Sequence, residues 1–361
     1  MKWSTKLGSF KGIEVYIHFT FWLIFLWVGY IYWMRFQNIS SVVEGVLLVI
    51  AVFGCVLLHE FGHALTAQKY GIKTRDITLL PIGGLAKIEK IPEKPIQEFW
   101  ITLAGPAVNV VIAILLFLIL YLSGNFEPLT NTSITEGSFI EKLMLVNVVL
   151  VVFNVLPAFP MDGGRILRAV LAMRMDYTKA TQVAVSIGQG MAFLFGFIGL
   201  FTNPFLVIIA LFVWIGATME GSIVQLKSLL GGIPVKDAMI TDFKTLSAND
   251  ELSKAVELVI SGSQKDFPVM KDHEVIGILT QRDLLKGLSE RGQSSLVSDT
   301  MTTNFKTIGD SDLLDSAFFQ FEGSDCKTIP VIKFGKLIGI LTLDNIGEFV
   351  SIKGALEVRK E

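Results

Sequence analysis

Six apolar stretches, each long enough to cross a hydrocarbon core as a helix of about 20 residues, occupy the first part of this chain. They run approximately from Tyr16 to Met34, Val42 to Thr66, Phe99 to Leu122, Leu143 to Phe159, Ala180 to Phe201 and Asn203 to Val224. A backbone in lipid must satisfy its own hydrogen bonds, which restricts such stretches to packed helices. With 52% hydrophobic and only 18% charged residues, the 361-residue chain is too apolar for an ordinary soluble globule. The expected fold class is an α-helical polytopic membrane protein with six transmembrane helices. The first run is long and no small-residue cleavage site follows it, so it reads as a span and not as a signal peptide. Gly188, Gly190, Gly196 and Gly199 would let the fifth span approach its neighbours closely.

Charge sets the expected orientation. Lys2, Lys6 and Lys11 precede the first span; Lys69, Lys73, Arg75, Lys87, Lys90 and Lys94 follow the second; Arg165, Arg168, Arg174 and Lys179 follow the fourth. The segment from Ser123 to Ile140 has no Lys or Arg. By the positive-inside rule both termini should be cytoplasmic, in a multi-pass protein of the cell membrane. A net charge of −2 without basic clusters excludes a nucleic-acid partner. Two distant cysteines, Cys55 and Cys326, argue against a disulfide framework and for a reducing interior.

His59-Glu60-Phe61-Gly62-His63 closes the second span. At helical spacing His59 and His63 stand one turn apart on one face, where two imidazoles can share a Zn²⁺, and Glu60 projects beside them toward a water. Ionisable groups are costly at bilayer depth and need a compensating reason to be there. A third ligand should come from another span at the same depth. The fourth ends in Asn154-Val-Leu-Pro157-Ala-Phe-Pro160-Met-Asp162-Gly-Gly-Arg165, whose prolines and glycines break the helix, and Asp162 is the candidate. Cys55, one turn before His59, is an alternative ligand or a small buried apolar residue. A structural zinc would need a fourth protein ligand, whereas a catalytic one leaves a position to water. Asn154 either donates to a substrate carbonyl or oxyanion or bonds another helix. Asn109 reads as a helix-packing residue, and Asn147 and His18 as satisfied packing partners.

Three ordered motifs on three spans, His59-Glu-x-x-His63, Gly105-Pro106-x-x-Asn109 and Asn154-x-x-Pro157 leading to Asp162-Gly163, resemble the site-2 protease family of intramembrane zinc metalloproteases, peptidase family M50. The resemblance implies a six-helix core, His59, His63 and Asp162 as ligands of one Zn²⁺ and Glu60 as general base. Leu79-Leu-Pro-Ile-Gly83-Gly84-Leu85 resembles the family's membrane-associated β-rich stretch, where an extended substrate could pair; a plain surface loop is the other reading.

The last third contains an internal repeat at an offset of 62 residues: Asp237-Ala-Met239 matches Asp299-Thr-Met301, and Ile276-Gly-Ile-Leu-Thr280 matches Ile338-Gly-Ile-Leu-Thr342. Each copy reads as a short strand, a helix, two strands around a turn and a helix, a pattern that resembles a tandem pair of cystathionine-β-synthase (CBS) domains. Such pairs often bind adenine nucleotides. Here Thr280 and Asp283 fit the expected phosphate and ribose contacts, while the second copy has Thr342 but Asn345 in place of the carboxylate.

The expected organisation is a membrane metalloprotease domain over 1–224, a linker over 225–233 and CBS repeats over 234–290 and 296–352. The expected function is zinc metalloendopeptidase action on peptide bonds in or near transmembrane segments of membrane-anchored proteins. The cytoplasmic pair would sense ATP, ADP or AMP, or form a homodimer. The rival reading is a CBS-regulated divalent-metal transporter or channel, which gives Glu60 no role.

Overall fold

A computed structural model describes residues 4–81, 83–88, 94–124, 137–321 and 326–358. The chain divides into two units, Met1–Val224 and Gln225–Glu361.

The first unit begins with strands β1 (Ser4–Phe10) and β2 (Ile13–His18), followed by helices α1 (Trp22–Phe36) and α2 (Ile39–Lys69). Strands β3 (Thr74–Leu80) and β4 (Gly83–Ile88) come next, then α3 (Pro95–Leu122), α4 (Phe139–Val155), α5 (Asp162–Ala172), α6 (Tyr177–Phe201) and α7 (Pro204–Leu230). The strands form one sheet in the order β1-β2-β3-β4, with β2 and β3 parallel and the other pairs antiparallel. Helix α2 starts at Asn38, whose side chain accepts from the Ser40 N–H at 2.9 Å, and runs for 31 residues. At about 1.5 Å per residue that is about 46 Å, longer than a bilayer core. Ser138 and Glu141 form a reciprocal capping box that starts α4.

Five helices among the described residues are long and apolar enough to span a membrane: 19–36, α2, α3, α6 and α7. The fourth expected span falls short. Helix α4 has 17 residues and stops at Val155, because Pro157 disfavours helical backbone at the residue before it. The first span is also displaced. Tyr16 and Ile17 pair with β3 as strand, and His18, which ends β2, caps the turn before α1 by accepting from Thr20 N–H, so the helical run starts at Phe19. The stretch 125–136, which lacks Lys and Arg, and Ile82 lie outside the described residues.

Polarity in this unit is inverted relative to a soluble protein. Leu26, Trp27, Tyr30, Phe193, Leu200 and Phe205 face outward, while His59, His63, Glu98, Asn109, Asn147 and Arg168 are buried. Lipid tails accept the first set, and only partners inside the bundle can satisfy the second.

The second unit is built twice. Strand β5 (Leu246–Ser247), α8 (Leu252–Ser261), β6 (Phe267–Lys271), β7 (Glu274–Leu279) and α9 (Gln281–Arg291) are followed by β8 (Ile308–Gly309), α10 (Leu314–Phe321), β9 (Thr328–Lys333), β10 (Lys336–Thr342) and α11 (Leu343–Val358). Each copy makes a three-stranded sheet with its first strand parallel to the second. The copies exchange contacts reciprocally: Ile240 bridges Ile340, and Thr302 bridges Ile278, the same pair of positions one repeat on. Thr328 Oγ1 donates to Asp266 Oδ2 at 2.9 Å, joining equivalent positions of the two repeats. Phe267, Leu252, Leu279 and Val297 pack one core and Leu314, Val331, Leu341 and Leu230 the other.

Thr328→Val leaves a buried carboxylate oxygen without its donor, which should destabilise the repeat pair by about 1–3 kcal/mol. Hydrogen exchange of β6 and β9 measures it as lost protection.

Candidate metal centre

Helix α2 buries a stripe of Cys55, His59, His63 and Ala67, residues four apart that fall on one face. That face meets α3, where Gly105 gives the imidazoles room: a methyl there would overlap His63 Nε2 and come within 2.8 Å of His59 Nε2. After α4 ends, Leu156 to Met161 carry the chain inward, and Asp162 opens α5. The Nε2 atoms of His59 and His63 are 3.0 Å apart, and Asp162 Oδ2 lies 3.2 Å from each. These three are the only such cluster of His, Cys, Asp or Glu among the described residues.

Hydrogen bonds assign the imidazole tautomers. His63 Nδ1 lies 2.8 Å from the Ile101 carbonyl, which only accepts, so Nδ1 carries the proton and Nε2 presents a lone pair. For His59 the logic runs through two amides. Asn147 Nδ2 donates to the Leu143 carbonyl at 2.8 Å, which orients Asn147 Oδ1 to accept from Asn109 Nδ2 at 3.0 Å. Asn109 Oδ1 then accepts from His59 Nδ1–H at 2.7 Å, and His59 Nε2 is also a bare lone pair. Two lone pairs and a buried carboxylate oxygen that accepts no hydrogen bond thus converge. Without a cation this is repulsive, and with one it is a ligand set.

The set fits zinc. Around a tetrahedral ion held at about 2.0–2.1 Å, neighbouring donors stand about 3.3 Å apart, close to the separations here, and three protein ligands leave one position open. Outer hydrogen bonds from ligating imidazoles to carbonyls and amides are the arrangement that fixes such ligands.

Glu60 is half-buried and lies against β4: a methyl on Gly84 would come within 2.6 Å of Glu60 Cγ and 3.0 Å of Oε1. The segment around Gly83 and Gly84 is therefore strand and not plain loop, and only β3 pairs with β4 among the described residues. Asn154 sits half-buried in the last turn of α4 with no side-chain hydrogen bond among the described residues. Cys55 lies with Asn147, whose Nδ2 is 3.4 Å from its sulfur, and not with the imidazoles. The role of Asn109 differs from the expected packing: it holds His59. The Gly105-x-x-x-Asn109 spacing places both on one face of α3, a signal that needed the knowledge that this face meets His59.

In the second unit a cavity of about 770 Å³ is lined by Thr280, Thr342 and Asn345, with Asp242, Lys265 and Arg282 among the other lining residues. Asp283 does not line it; its Oδ2 accepts from Thr280 at 2.7 Å and Thr302 at 2.9 Å. Asn345 Nδ2 donates to the Ala238 carbonyl, and Thr342 Oγ1 accepts from the Asn345 N–H at 3.1 Å, capping α11.

Residues 47–136 and 129–197 match the model of peptidase family M50, and residues 235–290 and 297–351 match the CBS domain. The chain is 31% identical to a zinc metalloprotease of Methanocaldococcus jannaschii, over 100% of this chain and 99% of that protein. Stage IV sporulation protein FB of Bacillus subtilis is 24% identical over 60% of this chain and 70% of its own length. A solved structure of a site-2 protease from Methanocaldococcus jannaschii aligns with a TM-score of 0.44 at 39% identity, covering 61% of this chain and 95% of that one. The chain belongs to peptidase family M50, as a zinc metalloprotease of the site-2 protease family that carries a tandem CBS pair.

Asn109→Ala frees the His59 ring and should weaken zinc binding about 10- to 100-fold. Competition with a chelator of known affinity on the full chain measures it.

Proposed function

We propose that this chain is an intramembrane zinc endopeptidase that hydrolyses peptide bonds in or near the transmembrane segments of membrane-anchored proteins. The observation that carries the reading is the convergence of His59 Nε2, His63 Nε2 and Asp162 Oδ2 inside a bundle whose outer face is apolar. Those three residues would hold the metal. When bound there, Zn²⁺ supplies Lewis acidity that polarises a carbonyl and makes a water acidic near neutral pH.

The chain's own groups do the rest. Glu60 accepts the proton that the attacking water loses and returns it to the departing amine nitrogen, in the manner of a general base turned acid. Asn154, free of other partners among the described residues, donates its amide N–H to the peptide oxygen as negative charge grows there. A transmembrane substrate has its carbonyls sealed in helical hydrogen bonds and must unwind before attack. The outer edge of β4, beside Glu60, offers backbone groups that hold the unwound segment as an added strand. By charge asymmetry the termini and the CBS pair are cytoplasmic. That pair senses adenine nucleotide through Thr280, Asp283, Thr342 and Asn345, or joins two copies of the chain. Thr280, Thr342 and Asn345 line the cavity that would take the nucleotide, whereas Asp283 lies outside its lining with its carboxylate held by Thr280 and Thr302, so ribose recognition through Asp283 requires those hydroxyls to release it.

Glu60→Gln keeps the metal ligands and removes the base. Cleavage of a membrane-tethered substrate should fall about 10²- to 10⁴-fold with zinc content unchanged. Unaltered cleavage would overturn the protease reading, and metal flux through reconstituted vesicles would favour the transporter. Proteolysis titrated with ATP and AMP tests the sensor: a change with saturating nucleotide is expected, and a flat response with nucleotide bound would refute it.

A further inference from the structure

Six residues beyond Asp162 on the same helix, Arg168 is 2% exposed and gathers three other helices and the segment before its own. Its Nε donates to Glu98 Oε1 of α3 at 3.0 Å, Nη2 donates to the same oxygen, and Nη1 donates to Glu220 Oε1 of α7 at 2.7 Å. The guanidinium also stacks 5.1 Å from the ring of Tyr177, the first residue of α6, and 5.1 Å from the ring of Phe159. Phe159 is fully buried and lies three residues before Asp162, in the segment that carries the carboxylate inward.

A guanidinium is a rigid planar fork whose two edges can serve two carboxylates while its face covers a ring. Here the edges are tied to α3 and α7, and the face presses the segment leading to Asp162. Burying a charge is costly unless every arm is used, so the cluster has essentially one low-energy geometry. We propose that Arg168 is a positioning residue for the metal centre: tied to Glu98 and Glu220 and stacked on Phe159, it sets where Asp162 Oδ2 stands relative to the two imidazoles. This rests on reading Asp162 as a zinc ligand.

The test uses the full chain in detergent, with Zn²⁺ affinity by chelator competition and the visible absorption band of the Co²⁺-loaded protein, which reports ligand geometry. Arg168→Lys keeps the charge but loses the fork, and Glu220→Gln weakens one arm, since a neutral amide oxygen replaces the carboxylate, without touching Phe159. Each should weaken Zn²⁺ binding about tenfold and displace the Co²⁺ band. Lys142→Met is the comparison: it breaks another ion pair of the bundle, buried Lys142 with half-exposed Glu44 at 2.8 Å, away from the Asp162 segment. It should leave both readouts as in the wild type. Wild-type affinity and an unshifted band in both Arg168→Lys and Glu220→Gln would overturn the proposal. Equal weakening by Lys142→Met would also overturn it, by showing general loosening of the bundle. Asp162→Asn separates the underlying reading: unchanged metal binding there means that Asp162 is not a ligand, and the positioning role falls with it.

Discussion

Two imidazole lone pairs and a carboxylate oxygen held within 3.2 Å of one another repel, and they do so where no bulk water relieves the charge. The fold imposes this arrangement through bonds on the far side of each ring. The Ile101 carbonyl holds one imidazole, and the Leu143 carbonyl holds the other through Asn147 and Asn109. Each link leaves the next group one orientation, so the proton sits on Nδ1 in both rings. A divalent cation would turn the repulsion into cohesion, so the geometry itself favours a metal ion at these three atoms.

The surrounding architecture follows from delivering those three atoms. Helix α2 supplies both histidines from a single face, and α3 must come close, which Gly105 permits. The carboxylate cannot come from a straight continuation of α4. Pro157 ends that helix at Val155, and the segment to Met161 turns inward, so one element is sacrificed as a full span to place Asp162. Arg168 then closes the other end of the same short helix. With apolar residues outside, Glu98, Asn109, Asn147 and Arg168 each find at least one partner inside the bundle, while Glu98 Oε2 and Asp162 Oδ2 accept no hydrogen bond there.

In the second unit the repeat supplies the symmetry and its departures supply the interest. The reciprocal bridges Ile240 to Ile340 and Ile278 to Thr302 tie each sheet to a residue of the other repeat. The side chains at the positions after Thr280 and Thr342 behave differently, however. Asp283 takes two hydroxyl donors, whereas Asn345 gives its amide to a backbone carbonyl. Two copies alike in backbone thus differ in charge at this position.

Hydropathy and periodicity are properties of one continuous segment, and what they describe was readable from the chain alone. They revealed the apolar helices, the one-turn spacing of His59 and His63, the helix break before Asp162 and the doubled C-terminal unit. Tertiary structure decided what depends on which segments meet. Asn109 lies 50 positions from His59, Asn147 lies 38 from Asn109, and Arg168 lies 70 from Glu98. No local pattern distinguishes an asparagine that packs from one that orients a ligand. Likewise the strand at Tyr16 and Ile17 required β1 and β3 as partners, because a short apolar run suits a helix or a strand equally until a neighbour offers its hydrogen bonds.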